Sequence, residues 1–195
     1  MHPEPDVPDD DMVPDECPDE CKSSTLGLDI LQNVNIQTVF VDQSTQNPED
    51  LGTVYIFNDN LFNVTSDGTI FEVGDWFATG YCTRTQNLVT RGVGGGVCNF
   101  VYSLTDSDGN FATFVAVGEV FDGDGGILPI TGGARAFSNA GGIIQITPYV
   151  AQFDDQGELT GTLEVWEGDF WEAEVYEVRV ELETPPSSDC CSCGC

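Results

Sequence analysis

The segment ITGGARAFSNAGG, residues 130–142, places two glycine pairs around a single phenylalanine, between two apolar runs. A phosphate-binding loop needs glycine-rich backbone that opens a helix, usually with a lysine. Here the flanks are typical of strands, no lysine is present and the residues just upstream are acidic. The segment therefore predicts a tight crossing: Gly132 and Gly133 allow positive φ and close approach, Phe137 plugs a barrel end, and the second glycine pair restarts a strand.

The chain on both sides of this segment is β structure by composition, because its apolar runs are rich in Val, Ile, Thr and aromatic residues. The predicted strands are 33–42, 52–59, 69–85, 97–105, 111–121, 143–153, 159–167 and 171–183. Turn sequences such as DSDGN and DGDGG separate them, and no window has a helical period. We therefore predict an all-β fold, an antiparallel barrel or sandwich; a closed eight-stranded barrel has room for side chains or one small ligand.

The two ends of the chain differ from this body. Residues 1–25 are acidic and rich in proline, and such a segment cannot bury enough apolar surface to offset its ordering entropy. Residues 185–195 begin with a Pro-Ser linker and finish in a cysteine cluster. We predict a disordered arm over 1–25, a barrel domain over 26–184 and a cysteine-rich tail over 185–195.

Charge limits the function classes. The chain has 5 Lys and Arg against 34 Asp and Glu, which gives a formal net charge of −29. Such a polyanion repels nucleic acid and anionic membrane surfaces. Its one histidine is His2, in the acidic arm, which argues against histidine bases and histidine-ligated zinc. We expect no metal and no cofactor, so chemistry rests on carboxylates, Tyr, Arg, Cys or the shape of a cavity.

Eight cysteines in a chain of this size indicate an oxidising compartment, and we expect a secreted protein. The triplet Asn63-Val64-Thr65 is a weak glycosylation signal in agreement with that. No secretion signal is visible, so we expect a processed form that was given a start Met. No stretch is long and apolar enough to span a membrane as a helix.

The block 52–147 resembles the allene oxide cyclase and dirigent protein superfamily. The pieces that carry the resemblance are, in order, VYIFNDNLF, GYCTRT, CNFVYSL, AVGEVFD and LPITGGARAFSNAGGIIQI, and EAEVYEVRVEL resembles the closing dirigent strand. The resemblance implies a single eight-stranded antiparallel barrel with an apolar cavity, often assembled as a trimer.

The resemblance also implies a kind of chemistry. The cyclases of this superfamily hold an unstable allene oxide in one conformation while it closes to a cyclopentenone. Dirigent proteins guide the coupling of phenoxy radicals and perform no oxidation themselves. Both act by positioning a small apolar or phenolic molecule, without a cofactor.

Asn58, Asp59 and Asn60 align with a polar cluster of these relatives, where dirigent proteins have an acidic pair. One interpretation makes Asp59 a pocket acid that protonates or stabilises a quinone-methide-like intermediate. The other is that Asn and Asp simply form a turn here.

Further candidates to line a cavity are Tyr55, Asn58, Tyr81, Arg84, Tyr102 and Tyr176. Barrel tyrosines also serve as packing residues. Arg84 belongs to a CxRT pattern of the relatives, and it either pairs with Glu72 or Glu119 across strands or faces the pocket. Val117 stands where the cyclases have a polar residue, and Asp42 is the nearest match to an acid on their first strand. Both departures weigh against cyclase activity.

Cys82 matches a cysteine position of the cyclases, and with Cys98 it flanks a predicted hairpin, which favours a cross-strand disulfide. The remaining cysteines are Cys17, Cys21, Cys190, Cys191, Cys193 and Cys195. We predict disulfides within or between chains for this set, with a soft metal as the alternative. The acidic turns lack the spacing of an EF-hand and are interpreted as hairpin turns.

Three functions remain open. The first is a secreted dirigent-like barrel, a homo-oligomer, that binds a small apolar or phenolic ligand and steers its cyclisation or coupling. The second is an allene-oxide-cyclase-like isomerase. The third is an acidic structural protein, linked by disulfides into an extracellular assembly. A cavity with a convergent acid and tyrosine favours the first two, and a barrel filled by its own side chains favours the third.

Overall fold

A computed structural model describes residues 23–39, 51–64, 70–86, 94–105, 108–151 and 163–185. Strands account for most of these residues, and two short 3-10 turns, Arg135–Phe137 and Phe170–Glu172, lie between strands. The strands are β1 Ser24–Asn33, β2 Ile36–Val39, β3 Val54–Val64, β4 Ile70–Gln86, β5 Gly95–Thr105, β6 Phe111–Phe121, β7 Gly126–Ala134, β8 Gly141–Val150, β9 Glu164–Val165 and β10 Val175–Thr184. The described part of the chain contains no helix long and apolar enough to cross a membrane.

The sheet closes on itself. Its antiparallel order is β1, β10, β8, β7, β6, β5, β4, β3, β2, and β1 also pairs with β3. Because β1 pairs with the second half of β3 and β2 with the first half, these two short strands share one position in the barrel. The ladder therefore has eight positions, and the predicted eight-stranded antiparallel barrel is confirmed.

Alternation along the strands places the core inside this barrel. In β5 and β6, every second residue from Gly96 to Leu104 and from Ala112 to Ala116 is buried, and the residues between them are more exposed, except Ser103, which is also buried. The interior is aromatic and aliphatic, with Phe57, Phe100, Phe114 and Tyr176 among the fully buried side chains. Period-two patterning of this kind is what drives a sheet to close around one apolar face.

The opening glycine segment forms the predicted crossing. Gly132 has a φ of 153°, and a Cβ on Gly133 would lie 2.3 Å from the Phe137 carbonyl oxygen. The 3-10 turn that follows brings the Phe137 ring edge-on to Phe114, with centroids 6.0 Å apart, at the end of the barrel where β6 begins. Strand β8 restarts at Gly141, as predicted.

Strand predictions differ from the structure at four strands, β1, β7, β9 and β10. Strand β1 begins at Ser24, although the first predicted strand starts at residue 33. Strand β7 was recognised only as a strand-like flank of the glycine segment and was given no bounds, because proline and three glycines interrupt its alternation. The predicted strand over 159–167 is reduced, within its described residues, to the two-residue β9, and β10 begins at Val175 after a 3-10 turn.

The predicted disulfide is present. Cys82 on β4 lies directly opposite Cys98 on β5, and their sulfur atoms are bonded. The turn after β6 is also the predicted hairpin turn, since Phe121 and Gly125 exchange backbone hydrogen bonds of 2.8 and 3.0 Å. The cysteines of the arm and of the tail lie outside the described residues, and so does Thr65 of the glycosylation triplet.

Candidate ligand site inside the barrel

A polar chain of three side chains crosses the apolar interior. The Tyr102 hydroxyl donates to Gln32 Oε1 at 3.0 Å, and Gln32 Nε2 donates to Asp59 Oδ2 at 2.5 Å. All three residues are buried, and they come from β5, β1 and β3. Buried polar groups are costly unless they are hydrogen-bonded, so this chain is held in one arrangement.

The break between β1 and β2 explains why an acid stands in the middle of β3. At this break the backbone N–H of Asn35 has no ladder partner in β3, and it donates instead to Asp59 Oδ1 at 2.6 Å. The Asn35 carbonyl accepts from the Asn58 N–H at 3.2 Å. Asp59 therefore lies within a strand, and the interpretation of this cluster as a turn was wrong.

The pKa of the Asp59 carboxyl is higher than that of an ordinary aspartate. Burial raises it from 3.8 to about 6, against the lowering effect of the hydrogen bonds from Asn35, Gln32 and Asn58. Burial also raises the pKa of the Tyr102 hydroxyl well above its ordinary value, and the charge of Asp59 adds to that rise. The pair consists of an acid able to hold a proton in mildly acidic solution and a tyrosine that stays protonated.

Aromatic rings surround this chain. Tyr102 stacks on Phe114 with centroids 5.0 Å apart, and Phe57 meets Phe100 edge-on at 5.1 Å. Tyr176 lies 6.2 Å from Phe57 and donates its hydroxyl to the Phe170 carbonyl at 2.9 Å. These rings pack on one another as well as around the polar chain, so the interior at this level is aromatic.

The end of the barrel where β6 finishes is closed by the 3-10 turn at Phe170–Glu172. The Trp171 ring stacks on Tyr55 of β3, with centroids 4.2 Å apart and planes 2° from parallel. Phe170 stacks on Tyr176 of β10 at 4.4 Å. A Cβ on Gly96 of β5 would lie 3.0 Å from the tip of the Trp171 ring, so this glycine makes room for it. The two rings thus lie across three strands of the barrel mouth.

A buried arginine binds this turn to the barrel. Arg84 is 1% exposed; its Nη2 lies 3.1 Å from Asp169 Oδ2, and its Nη1 lies 3.7 Å from Asp122 Oδ2. The guanidinium also lies 5.6 Å from the centre of the Trp171 ring. Asp122 Oδ1 accepts from the Phe170 N–H at 2.9 Å. Burial raises the pKa of Asp122, and the charge of Asp169 adds to that, while the Phe170 N–H and Arg84 lower it.

Two sequence candidates face outward. Asn58 is exposed, and Tyr81 is 51% exposed, because both occupy the outward positions of their strands. Their prediction as lining of an interior cavity was wrong. Five candidates do face inward, at two levels of the barrel. Asp59 and Tyr102 belong to the polar chain, and Tyr55, Tyr176 and Arg84 lie against the Phe170–Trp171 turn.

The residues that sequence reasoning missed are Gln32, Asp122, Asp169, Phe170 and Trp171. Arg84 was expected to pair with Glu72 or Glu119, or to face the pocket. It faces inward, and its observed acidic partners are Asp122 and Asp169. Asp169 is 85 residues away in the chain, so only the closure of the barrel brings it near. The DGDGG sequence was interpreted as a turn, and the acidic residues around it and before Phe170 were the available signal.

One part of the outer face is uncharged. Cross-strand neighbours on β4, β5 and β6 form three rows that contain no Asp, Glu, Lys, Arg or His. The rows are Phe77, Ser103, Thr113; Thr79, Val101, Val115; and Tyr81, Asn99, Val117. The outer face of β10 contrasts with them, because it has Glu177, Arg179, Glu181 and Glu183.

The closed eight-stranded antiparallel barrel is the fold that the sequence resemblance implies. The solved structures agree. The chain is similar to the pterocarpan synthase dirigent protein GePTS1, with a TM-score of 0.53 and 19% identity over 85% of this chain and 90% of that one. It is similar also to the pterocarpan synthase dirigent protein PsPTS1, with a TM-score of 0.50 and 18% identity over 85% of this chain and 97% of that one.

No family model matches the chain, and a search of curated proteins finds no match. The likeness to the two dirigent structures is therefore one of fold. The resemblance seen in the sequence is confirmed at that level, and the chain has a dirigent-like barrel fold.

Proposed function

We propose that this protein is a secreted dirigent-like barrel that binds a small apolar or phenolic molecule and steers its cyclisation or coupling without a cofactor. The observation that supports this most is the hydrogen-bonded chain Tyr102–Gln32–Asp59 inside an aromatic interior. A purely structural barrel has no need of a buried carboxyl, which costs free energy unless it is compensated. The relatives in fold are named as pterocarpan synthase dirigent proteins, which supports a dirigent-like role.

The chain of hydrogen bonds can run in two directions. With Asp59 ionised, Tyr102 donates to Gln32, and Gln32 donates to Asp59. When Asp59 holds a proton, its O–H can donate to Gln32 once the amide turns over. Gln32 then donates to the Tyr102 oxygen, and the tyrosine O–H is released to donate to a ligand. Protonation of Asp59 therefore prepares Tyr102 to hydrogen-bond a ligand oxygen where negative charge develops.

Steering needs position more than acid strength. A flat ligand held between aromatic faces loses most of its orientations before it reacts, and this converts a random encounter into one geometry. The hydrogen bond from Tyr102 then fixes which edge of the ligand points inward. Together these contacts determine the face from which a new bond forms.

The test uses stereochemistry, because a steering protein changes the product ratio even when it changes no rate. Phenoxy radicals are generated by a chemical oxidant from a para-substituted phenol, with and without the protein, and the coupled products are separated by chiral chromatography. We expect an enantiomeric excess with the wild-type chain and a strong reduction with Tyr102→Phe, whereas Asp59→Asn should keep the excess, because its amide can donate to Gln32 as the protonated acid does. Asp29→Asn, at an exposed site, serves as the control. A racemic product from the folded wild-type protein with several phenols would contradict the proposal.

We also propose that the protein is a homo-oligomer, with the uncharged outer face of β4, β5 and β6 as the contact between copies. On a chain of net charge −29, copies that meet through most other surfaces bring like charges together. Uncharged rows that include Phe77, Tyr81 and Val101 avoid that repulsion and bury apolar surface on contact.

A structural role is the second candidate, and it is favoured by the filled mouth of the barrel. Phe170 and Trp171 are buried there by the chain's own packing, and no ligand is needed to complete the core. The test is native mass spectrometry of protein purified from its source, with and without reductant. Multimers that separate only on reduction and release no small molecule support the structural role. Release of an organic molecule on denaturation supports the ligand-steering role. The predicted isomerase has no further support from the site.

A further inference from the structure

We propose that Phe170 and Trp171 form a movable stopper that occupies the place of a planar aromatic ligand, and that Asp169 locks it in place through Arg84. The stopper is defined here as residues 166–172. Its ligand class rests on the proposed function above, whereas its movement stands on the geometry of the mouth.

The two rings have the positions that flat ligand rings would take. Trp171 lies face to face with Tyr55, with planes 2° from parallel, and Phe170 lies nearly parallel to Tyr176. The Trp171 and Phe170 planes meet at 80°, with centroids 5.4 Å apart. Removal of this pair would leave two exposed tyrosine faces and a guanidinium at the entrance of an aromatic barrel. That is a site for a flat molecule with an oxygen acceptor.

The burial of the Phe170 and Trp171 rings in the core holds the stopper, together with few hydrogen bonds and ion pairs. One is a backbone bond from the Trp166 N–H to the Pro148 carbonyl at 3.0 Å. Asp169 meets Arg84, the Phe170 N–H donates to Asp122, and the Tyr176 hydroxyl donates to the Phe170 carbonyl. Within the stopper, Trp166 Nε1 donates to the Asp169 carbonyl at 2.8 Å, and this fixes the turn itself. Sheet pairing in the described residues just before it is limited to β9, whose two residues pair with Tyr149 and Val150. Such a segment can open while the ladders of the barrel stay intact.

The closed position has a cost that an open or ligand-bound one would relieve. The Trp171 indole N–H is buried and has no hydrogen-bond acceptor among the described residues. Asp122 and Asp169 also place two carboxyl groups around one guanidinium in a largely buried site. A buried unsatisfied donor and two close carboxyls both weaken the closed state relative to an open one.

Of the two acidic partners of Arg84, only Asp169 moves with the stopper, and this defines the class of ligand. Asp122 follows β6 and belongs to the barrel, whereas Asp169 belongs to the stopper. When the stopper leaves, Asp169 leaves with it, and Arg84 keeps Asp122. An oxygen of the incoming ligand, such as a phenol hydroxyl or a carboxylate, then takes the place of the Asp169 carboxylate at 3.1 Å from Nη2.

The experiment compares the full-length wild-type chain with Asp169→Asn, and with Asp29→Asn as the matched control, because Asp29 meets Arg179 at an exposed site. Hydrogen exchange is followed by mass spectrometry for peptides that cover the stopper, β5 and β10. Binding of 2-naphthol, a flat phenol, is measured by equilibrium dialysis. We expect about tenfold faster exchange in the stopper and about tenfold tighter binding for Asp169→Asn, with β5 and β10 unchanged. The control should match the wild type.

Trp171→Leu is the second variant. It removes the ring that fills the mouth while leaving Asp169 and Arg84 in place, so it should also bind 2-naphthol more tightly. Exchange of the stopper that rises only together with β5 and β10 overturns the proposal, because the segment would then have no separate opening. Unchanged exchange combined with tight binding by all proteins also overturns it and leaves the proposed function standing. Faster local exchange with no binding by any variant upholds the movable stopper and counts against the proposed ligand-steering function.

Discussion

Asp59 is the residue at which the fold and the proposed chemistry meet. Its carboxyl satisfies the Asn35 N–H at the break between β1 and β2, and the same position brings it to Gln32 inside the barrel. An asparagine would accept the Asn35 hydrogen bond equally well. The carboxyl therefore adds one property, a titratable proton in an apolar interior.

Replacement of Asp59 by asparagine should change the dependence of stability on pH. The folded pKa of about 6 exceeds the ordinary 3.8, so the folded state binds a proton that the unfolded state releases. The stability from this proton is fully present below pH 3.8 and is lost as the pH rises through 6. Asp59→Asn should therefore gain on the wild type by about 2 kcal/mol between pH 4 and pH 7. Urea unfolding across that range measures it, and parallel profiles for the two proteins would contradict it.

Arg84 gives a second prediction at this scale. Removal of one member of a buried ion pair leaves the other charge without its partner, and this costs about 3–5 kcal/mol in the free energy of unfolding. Arg84→Met leaves Asp122 and Asp169 without their cation, so we expect a loss of that order in the free energy of unfolding. Arg179→Met is the control, because Arg179 is exposed and its ion pairs with Glu177 and Asp29 are in solvent. Equal losses in the two variants would mean that the Arg84 site is not a buried ion cluster.

At the scale of strands, the disulfide joins two elements that already pair. Cys82 and Cys98 are 16 residues apart in sequence, and closing a loop of that length stabilises a fold by about 3 kcal/mol through the unfolded chain. We expect Cys82→Ala together with Cys98→Ala to lose about that much in urea unfolding and to keep the barrel by circular dichroism. Each single variant should lose at least as much. A loss below about 1 kcal/mol would mean that the unfolded hairpin is already held together.

The crossing between β7 and β8 gives a paired prediction on two glycines of the opening segment. A Cβ at position 133 would lie 2.3 Å from the Phe137 carbonyl and 2.6 Å from the Thr113 carbonyl. Both contacts are with backbone, so Gly133→Ala should destabilise the protein by about 1–3 kcal/mol. Gly141→Ala meets open space, and its φ is not positive, so it should be neutral within about 0.5 kcal/mol. Thermal unfolding of the two variants measures the difference.

These elements also show what the sequence could predict. The strands β5 and β6 alternate over most of their length, and their bounds agree with prediction to within two residues. Strand β1 follows the acidic arm, and its sequence has no clear alternation of apolar and polar residues. It is extended because it pairs with β10 and with β3, and that pairing cannot be inferred from its own sequence. An inward Asp59 was one of two interpretations of its cluster, and Tyr102 was one of several candidates to line a cavity. The link through Gln32 could not be predicted, because it depends on register across the closing seam.

At the scale of the whole molecule, charge and oligomeric state are connected. We expect Tyr81→Glu to dissociate the proposed homo-oligomer, because it introduces a charge into the uncharged outer face. Gln145→Glu adds the same charge on the outer face of β8, opposite Arg179, and should leave assembly unchanged. Size-exclusion chromatography with light scattering measures the mass of each. A wild-type chain that is monomeric across salt concentrations would contradict the proposal.

The seam at β1 has a consequence for how the chain is made. Ser24 pairs with Thr184, 160 residues away, and β1 is the only described strand that joins β10 to β3. On a ribosome β1 emerges first, yet it has to wait for the last strand before the ring can be completed. Until then both edges of the unfinished sheet are unpaired and can pair with other nascent chains. Folding that depends on such long-range pairing is slow and exposes the chain to aggregation. The strong negative charge at the N-terminal end of β1 would keep neighbouring nascent chains apart during this interval.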